Sequence, residues 1–402
     1  MDPMSAPHGH TQVDPFGFDD ADIERLRARN NIKWHRYDPD VLPLWVAEMD
    51  YPTAPAVMDA VRRAVDEEQF GYPGSSPELR EAYARFSADR LDFAVDPERC
   101  EVIPDVLTGI QVGIGVFTPA DSPVIVTTPA YMPFLELPAV CGRKRVDVPL
   151  IWSEATDPAG RWELDLAAID AAMAAGARGL ILCQPYNPVG RIFTADELRA
   201  LAEVVADHDG FVFSDEIHSP VILRGRHVAY ASVSELAASH TLTLAAASKG
   251  WSIPGLRTAI AITHTEANWR TWEKHASPLR THGAAPVGIA ATTAAFTDGG
   301  PWLDAALDHI RGNQAWLVDF LASELPEIGH TPGDGTYFAW LDFRPLDINH
   351  PGQWLVDNAR VALNEGRTFG AAGRGWVRLN LATARPILVE AGERIRDAIR
   401  AR

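Results

Sequence analysis

The chain has 402 residues, 47% of them hydrophobic, and a formal net charge of −18. That length leads to an expectation of two domains rather than one compact core. The acidic balance argues against nucleic acid as a partner, because phosphate contacts need clustered Lys and Arg. Three widely spaced cysteines, Cys100, Cys141 and Cys183, form neither a disulfide framework nor a metal-ligand pattern. They suit a reducing cytosol. No uninterrupted apolar run approaches the ~18 residues that span a bilayer. A cytoplasmic chain with no membrane segment is therefore expected. Met1 to Pro15 lacks the basic start and apolar run of a signal peptide. His8 and His10 read as part of a solvated tail rather than as metal ligands, and no metal is expected.

In chain order, Met1 to Gly17 is rich in Pro, Gly and Asp and is expected to be poorly ordered. Asp20 to Asn30 reads as a short helix. Leu42 to Pro52 is aromatic and broken by proline, so neither a regular helix nor a central strand is expected there. Such a segment packs against a pocket or a partner subunit. Pro55 to Gln69 and Glu78 to Asp89 have helical spacing, and Phe70-Gly71-Tyr72-Pro73-Gly74 breaks them apart. From Cys100 onward, short apolar runs alternate with helical patterns. The runs are Val124 to Thr127, Gly179 to Cys183, Phe211 to Ser214, Leu242 to Ala246 and Thr258 to Ile262. Unalternated runs of this kind predict strands buried on both faces of a mostly parallel sheet. Thr194-Ala195-Asp196-Glu197 is a capping box for a helix over Ala195 to Asp207. Helices are expected after Pro286 and over Trp302 to Leu325. Strand patterns follow at Tyr337 to Phe343 and Gly375 to Leu381, and a helix over Ile387 to Arg400 closes an α+β region. The expected divisions are a tail 1–17, a segment 18–54 packed on the small domain and the site, a large domain 55–290, and a small domain 291–402.

Ligands of open parallel sheets bind beyond the carboxyl ends of the strands. Polar residues at those ends are therefore informative. Ser248-Lys249 follows the run ending at Ala246, and Arg257 comes eight positions after the lysine. An amine held in a partly dry pocket has a lowered pKa and can form an imine with an aldehyde. The hydroxyl and guanidinium suit a phosphate dianion. Aldehyde plus phosphate describes pyridoxal 5′-phosphate (PLP); the alternative is a surface lysine after a strand. Asp215 after Phe211 to Ser214 can pair with a protonated ring nitrogen or cap the next helix. Asn187, between Pro185 and Pro188, can donate to a phenolate oxygen or form an Asx turn. Leu107-Thr108-Gly109-Ile110 precedes an apolar helix from Val112, where free N–H groups can hold an anion. Tyr131 can stack on a flat ring or belong to the core.

Together these motifs resemble the fold-type I, class I/II aminotransferase superfamily of PLP enzymes. The set is Thr-Gly at 108–109, Tyr131 after Pro-Ala, Asn-Pro-Val-Gly-Arg at 187–191, Asp-Glu-Ile-His at 215–218, Ser-Lys at 248–249 with Arg257, and Arg-Leu-Asn at 378–380. Leu-Pro-Leu-Trp-Val-Ala-Glu-Met-Asp at 42–50, Phe-Gly-Tyr at 70–72 and Asp-Glu-Ile-His look like the MalY/PatB branch, the cystathionine β-lyase type of C–S lyase. Departures from the pattern are Tyr186 before the Asn, Pro220 after the His, and Thr108 in the phosphate turn.

The resemblance implies an α/β fold with a mostly parallel seven-stranded sheet between helices, plus a smaller α+β C-terminal domain. It implies that Lys249 carries the imine with the PLP aldehyde and that Asp215 pairs with the ring nitrogen. Asn187 contacts the ring oxygen, Tyr131 stacks on the ring, and His218 lies beside the cofactor. Thr108, Gly109, Ile110, Ser248 and Arg257 hold the phosphate. Arg378 clamps the substrate carboxylate, Trp45 lines the substrate site, and Tyr72 reaches across from the second subunit of a homodimer. The expected reaction is α,β-elimination on L-cystathionine or another cysteine S-conjugate. Transamination of an L-amino acid and a PLP-binding regulatory protein are the alternatives. Glu48 and His275 are further site candidates that the sequence leaves open.

Overall fold

The structure is a computed structural model that describes residues 14–20, 22–153 and 160–402. His8, His10 and most of the expected tail lie outside the described residues. Seven strands form the large sheet: β1 (Cys100–Ile103), β2 (Val124–Thr128), β3 (Arg145–Pro149), β4 (Gly179–Cys183), β5 (Phe211–Asp215), β6 (Thr241–Ala245) and β7 (Ala259–Thr263). Their order is β1-β7-β6-β5-β4-β2-β3. Neighbours from β6 to β3 are parallel, and β7 is antiparallel to both β6 and β1. Every residue of β2, β4, β5, β6 and β7 is buried, as their unbroken apolar runs require. The two edge strands have mixed polarity and escaped the sequence reading. β3 alternates an exposed Arg145 and Asp147 with a buried Val148.

A second sheet takes β8 (Gly329–His330), β9 (Phe338–Asp342), β10 (Asn364–Glu365) and β11 (Trp376–Asn380) in the order β8-β9-β11-β10, all antiparallel. The expected boundary at 290/291 falls inside a continuous helix, Pro286–Asp298. Most helix expectations land within a turn of the observed ends. The capping box at Thr194 forms as read: the Thr194 hydroxyl accepts from Glu197 N, and Glu197 Oε2 accepts from Thr194 N at 2.7 Å. The first helix is shorter than expected, Ile23–Ala28.

Residues 42–50 are mostly irregular, with a two-residue strand pairing in parallel with Val361–Ala362. Irregular backbone is buried only where its polar groups find partners. Here other parts of the chain supply them. Arg378 donates to Trp45 O at 2.9 Å, Asn380 Nδ2 to Val46 O and Glu48 O at 2.7 Å each, and Ser252 Oγ accepts from Met49 N at 2.8 Å. Behind the segment, Asp50 accepts from Lys33 Nζ and Trp34 Nε1, both at 2.8 Å, with the lysine fully buried.

Burial also makes the fold acid-sensitive. His240 is pushed down to about 4, His264 to about 3 and His330 to about 4. The unfolded imidazole takes its proton near ~6.5. Between there and about 4 the unfolded state binds more protons, so stability falls as pH falls. Each group contributes about 1.4 kcal/mol per pH unit in that window. His218, held well below the usual imidazole range by burial, acts in the same direction, whereas Asp215, raised to about 7, acts in the opposite one and offsets one of the four. A lower urea midpoint at pH 5 than at pH 7 is expected; an equal or higher midpoint contradicts this balance.

Candidate active site

The parallel strands β2, β4, β5 and β6 deliver Tyr131, Asn187, Asp215 and Lys249 to one edge of the large sheet. Arg378, in the middle of β11, comes to the same place from the small sheet. The guanidinium of Arg378 donates to Asn187 Oδ1 at 2.9 Å, which ties the two sheets together across the site. It lies between two aromatic faces, 4.0 Å from the Phe338 centroid and 5.0 Å from that of Phe369. It is buried, its Nε has no partner, and among the described residues no carboxylate lies within ion-pair distance. Burial lowers its pKa to about 10. A dry, rigid cation with unused donors is a site for an anion.

Lys249 follows β6 on a turn and donates from Nζ to Ala47 O at 3.1 Å. Its pKa is lowered to about 8, first by burial and then by Arg378, with Glu48 and Asp215 pulling the other way. Asp215 is buried at the end of β5. Desolvation raises its carboxyl to about 7 against the opposing effects of the Ile217 N–H and Lys249. A buried acid in that state would be returned to its charged form by a cation beside it. Behind it, Glu216 accepts from Ser214 Oγ at 2.9 Å and Tyr230 N at 3.1 Å, and pairs with His227 at 2.8 Å. This buried network anchors the strand end, and its partners were not visible in the sequence.

His218 is buried against Tyr337 and Phe338, with Nδ1 unpartnered. Burial, Lys249 and Arg378 hold it well below the usual imidazole range, so the ring is neutral. Tyr131 caps the helix Met132–Val140, partly exposed, with its ring against Phe134. Trp45 contributes its carbonyl to Arg378, and its indole meets the Tyr37 ring edge-on and lies under the Arg36 guanidinium. Glu48 receives Asn31 Nδ2 at 3.1 Å. His275 is exposed at the end of the helix Glu266–His275. Tyr72 is fully exposed, and no hydrogen bond or ring contact joins it to the other site residues within one chain.

The expected start of the helix after the phosphate turn needs correction. The helix starts at Val106, not Val112, so Thr108, Gly109 and Ile110 lie inside its first turns. Asp105 is the cap: its Oδ1 accepts from Thr108 N at 2.7 Å, and its carbonyl from Gly109 N at 3.2 Å. The uncommitted N–H groups at this helix start are those of Val106 and Leu107. Gly109 serves packing, since a Cβ there would sit 2.3 Å from Leu244 Cδ1. Arg257 does reach the helix start, donating through Nη2 to Asp105 at 2.6 Å. Ser248 is half-buried beside Lys249.

The profile of the aminotransferase class I and II family matches residues 39–392. The chain belongs to that family. The cystathionine beta-lyase of Corynebacterium glutamicum is 37% identical over 382 residues, covering 94% of this chain and 99% of that one. The cystathionine beta-lyase PatB of Bacillus subtilis is 31% identical, covering 94% and 98%. The crystal structure of a putative PLP-dependent β-cystathionase from Corynebacterium diphtheriae superposes with a TM-score of 0.89 at 39% identity, covering 94% and 98%. The resemblance to the cystathionine β-lyase branch and the fold-type I architecture are borne out. In this aminotransferase-family chain no helix among the described residues is long and apolar enough to cross a membrane. Among the described residues no His, Cys, Asp or Glu cluster could hold a metal ion.

Proposed function

We propose that the chain is a PLP-dependent carbon–sulfur lyase that cleaves cysteine S-conjugates such as L-cystathionine. The products are a thiol, pyruvate and ammonia, with one water consumed. The carrying observation is the grouping in one dry site of an amine poised near neutrality, a buried acid in need of a cation, and a buried guanidinium without a carboxylate. Those three groups fit PLP and an α-amino acid. The names of the relatives support the same choice.

Bound PLP supplies an electron sink conjugated to the substrate Cα. Asp215 would hold a proton on the ring nitrogen. Asn187, whose Oδ1 is engaged by Arg378, would donate from Nδ2 to the ring oxygen. Tyr131 would cover the ring, with the neutral His218 beside it. Ser248, Arg257 and the Thr108 hydroxyl at the helix start would hold the phosphate. Arg378 would take the substrate carboxylate as a bidentate pair. Lys249 would remove the Cα proton, and the thiolate then leaves from Cβ.

Trp45 would line the substrate side-chain pocket, and Tyr72 would complete it from a second copy. Tyr72, Phe70 and Leu279 are exposed in the single chain, which supports a homodimer. A monomer by light scattering at micromolar concentration contradicts it. We place the chain in the cytoplasm on its three free cysteines.

The test is L-cystathionine without added keto acid. Equal amounts of thiol and pyruvate are expected. Consumption that requires a keto-acid acceptor and releases no thiol identifies an aminotransferase instead. PLP binding with no turnover on any conjugate leaves a regulatory protein.

A further inference from the structure

Tyr337 was not singled out by any motif, yet it stands beside the reacting amine. Its hydroxyl donates to Ala47 O at 3.0 Å, and Lys249 Nζ donates to the same oxygen at 3.1 Å. The phenol is fully buried at the start of β9, and the acceptor belongs to the irregular N-terminal segment about 290 residues away in sequence. A carbonyl has two lone pairs, and here both are taken by functional donors. No other donor reaches this oxygen among the described contacts.

We propose that Tyr337 is a positioning residue for Lys249: by sharing the Ala47 carbonyl, it orients the released amine and keeps that amine in its free-base form. The role rests on the lyase reading for its purpose, but not for its existence. Once the substrate's amine has displaced Lys249, Nζ returns to this carbonyl. An N–H donated to Ala47 O points the lone pair elsewhere, and only the uncharged amine can accept the Cα proton. A hydrogen bond to an acceptor favours the ammonium. With Tyr337 already drawing on the same oxygen, the acceptor is less available to stabilise that charge.

The other charged and titratable groups facing Nζ come from four elements. Glu48 lies on the N-terminal segment, Asp215 ends β5, His218 lies in the turn after it, and Arg378 is on β11. Glu48 and Asp215 favour the ammonium and Arg378 opposes it. His218 is neutral and contributes little. None of these four touches the Ala47 carbonyl, so a Tyr337 variant leaves their influence on the amine in place.

The experiment is competitive labelling of Lys249 across pH in the full chain freed of cofactor, together with the pH profile of kcat in the holoenzyme, which reports groups of the substrate complex. Tyr337→Phe keeps the ring and removes the donor. Its Lys249 pKa should rise by roughly half a unit to one unit, a three- to tenfold loss of free amine near neutrality. The rising limb of the pH profile should move by the same amount, with PLP stoichiometry unchanged. If Tyr337→Phe does not fold, 3-fluorotyrosine at position 337 gives the opposite test. Its stronger O–H donor should lower the Lys249 pKa. An unmoved labelling profile in a folded variant overturns the proposal. A moved profile in a chain that releases no thiol from any conjugate supports Tyr337 while sinking the lyase reading, so the two failures are distinct.

Discussion

Lys249→Ala should reduce thiol release by at least a factor of roughly 10²–10⁴, the range for loss of a positioned base alone. The attachment point for PLP goes as well, so the visible absorbance of the lysine-bound cofactor should disappear. The magnitude follows from the surroundings of the amine. At its ordinary pKa, roughly one lysine in 3,000 is uncharged at pH 7, whereas at about 8 roughly one in eleven is. The site therefore gains more than two orders of magnitude in available base before any geometry is counted. Nothing else in the site substitutes for it: His218 is neutral but packed against the Tyr337 and Phe338 rings, and Asp215 is fixed at the end of β5. The variant should fold, because the side chain's one hydrogen bond is to Ala47 O, which keeps Tyr337 as a donor. A folded Lys249→Ala protein that turns over at the normal rate removes the assignment.

Arg378→Ala should act on substrate capture. Truncating one partner of a buried charge pair costs about 2–5 kcal/mol, which is roughly thirty- to several-thousand-fold in kcat/KM. Most of it should appear in KM, since the carboxylate is held equally in substrate and transition state. Thermal stability is a poor readout of this change, because two effects oppose each other. The variant leaves Asn187 Oδ1 and Trp45 O without their donor, and it also removes a desolvated cation whose pKa is lowered to about 10. Arg378→Lys should restore little, because an ammonium cannot reproduce the planar fork held between Phe338 and Phe369. An unchanged KM in Arg378→Ala means that another group binds the carboxylate.

How much of this was legible in the sequence depended on where the physical signal resides. Strands buried on both faces announce themselves as unbroken apolar runs, and β4, β5 and β6 carry Asn187, Asp215 and Lys249 just beyond their ends. Edge strands such as β1 and β3 are half-covered, and their polarity looks like loop. The helix start at Val106 was misplaced because Asp105 acts through a cap whose acceptor role depends on backbone geometry. Ala47 was illegible for a plainer reason. Its contribution is a carbonyl oxygen, which every residue has, and only the fold selects which one faces the lysine. Tyr337 looks like an ordinary strand-end residue, and Asn380 and Glu216, although they stand inside motifs, show no role of their own until Ala47, Val46, Glu48, Tyr230 and His227 are brought alongside.

The most direct measurement is borohydride reduction of the PLP-loaded protein followed by peptide mapping. A single pyridoxyl adduct on the peptide containing Lys249 is the predicted result. No adduct, or one placed on Lys33, Lys144 or Lys274 instead, would contradict the account at its centre.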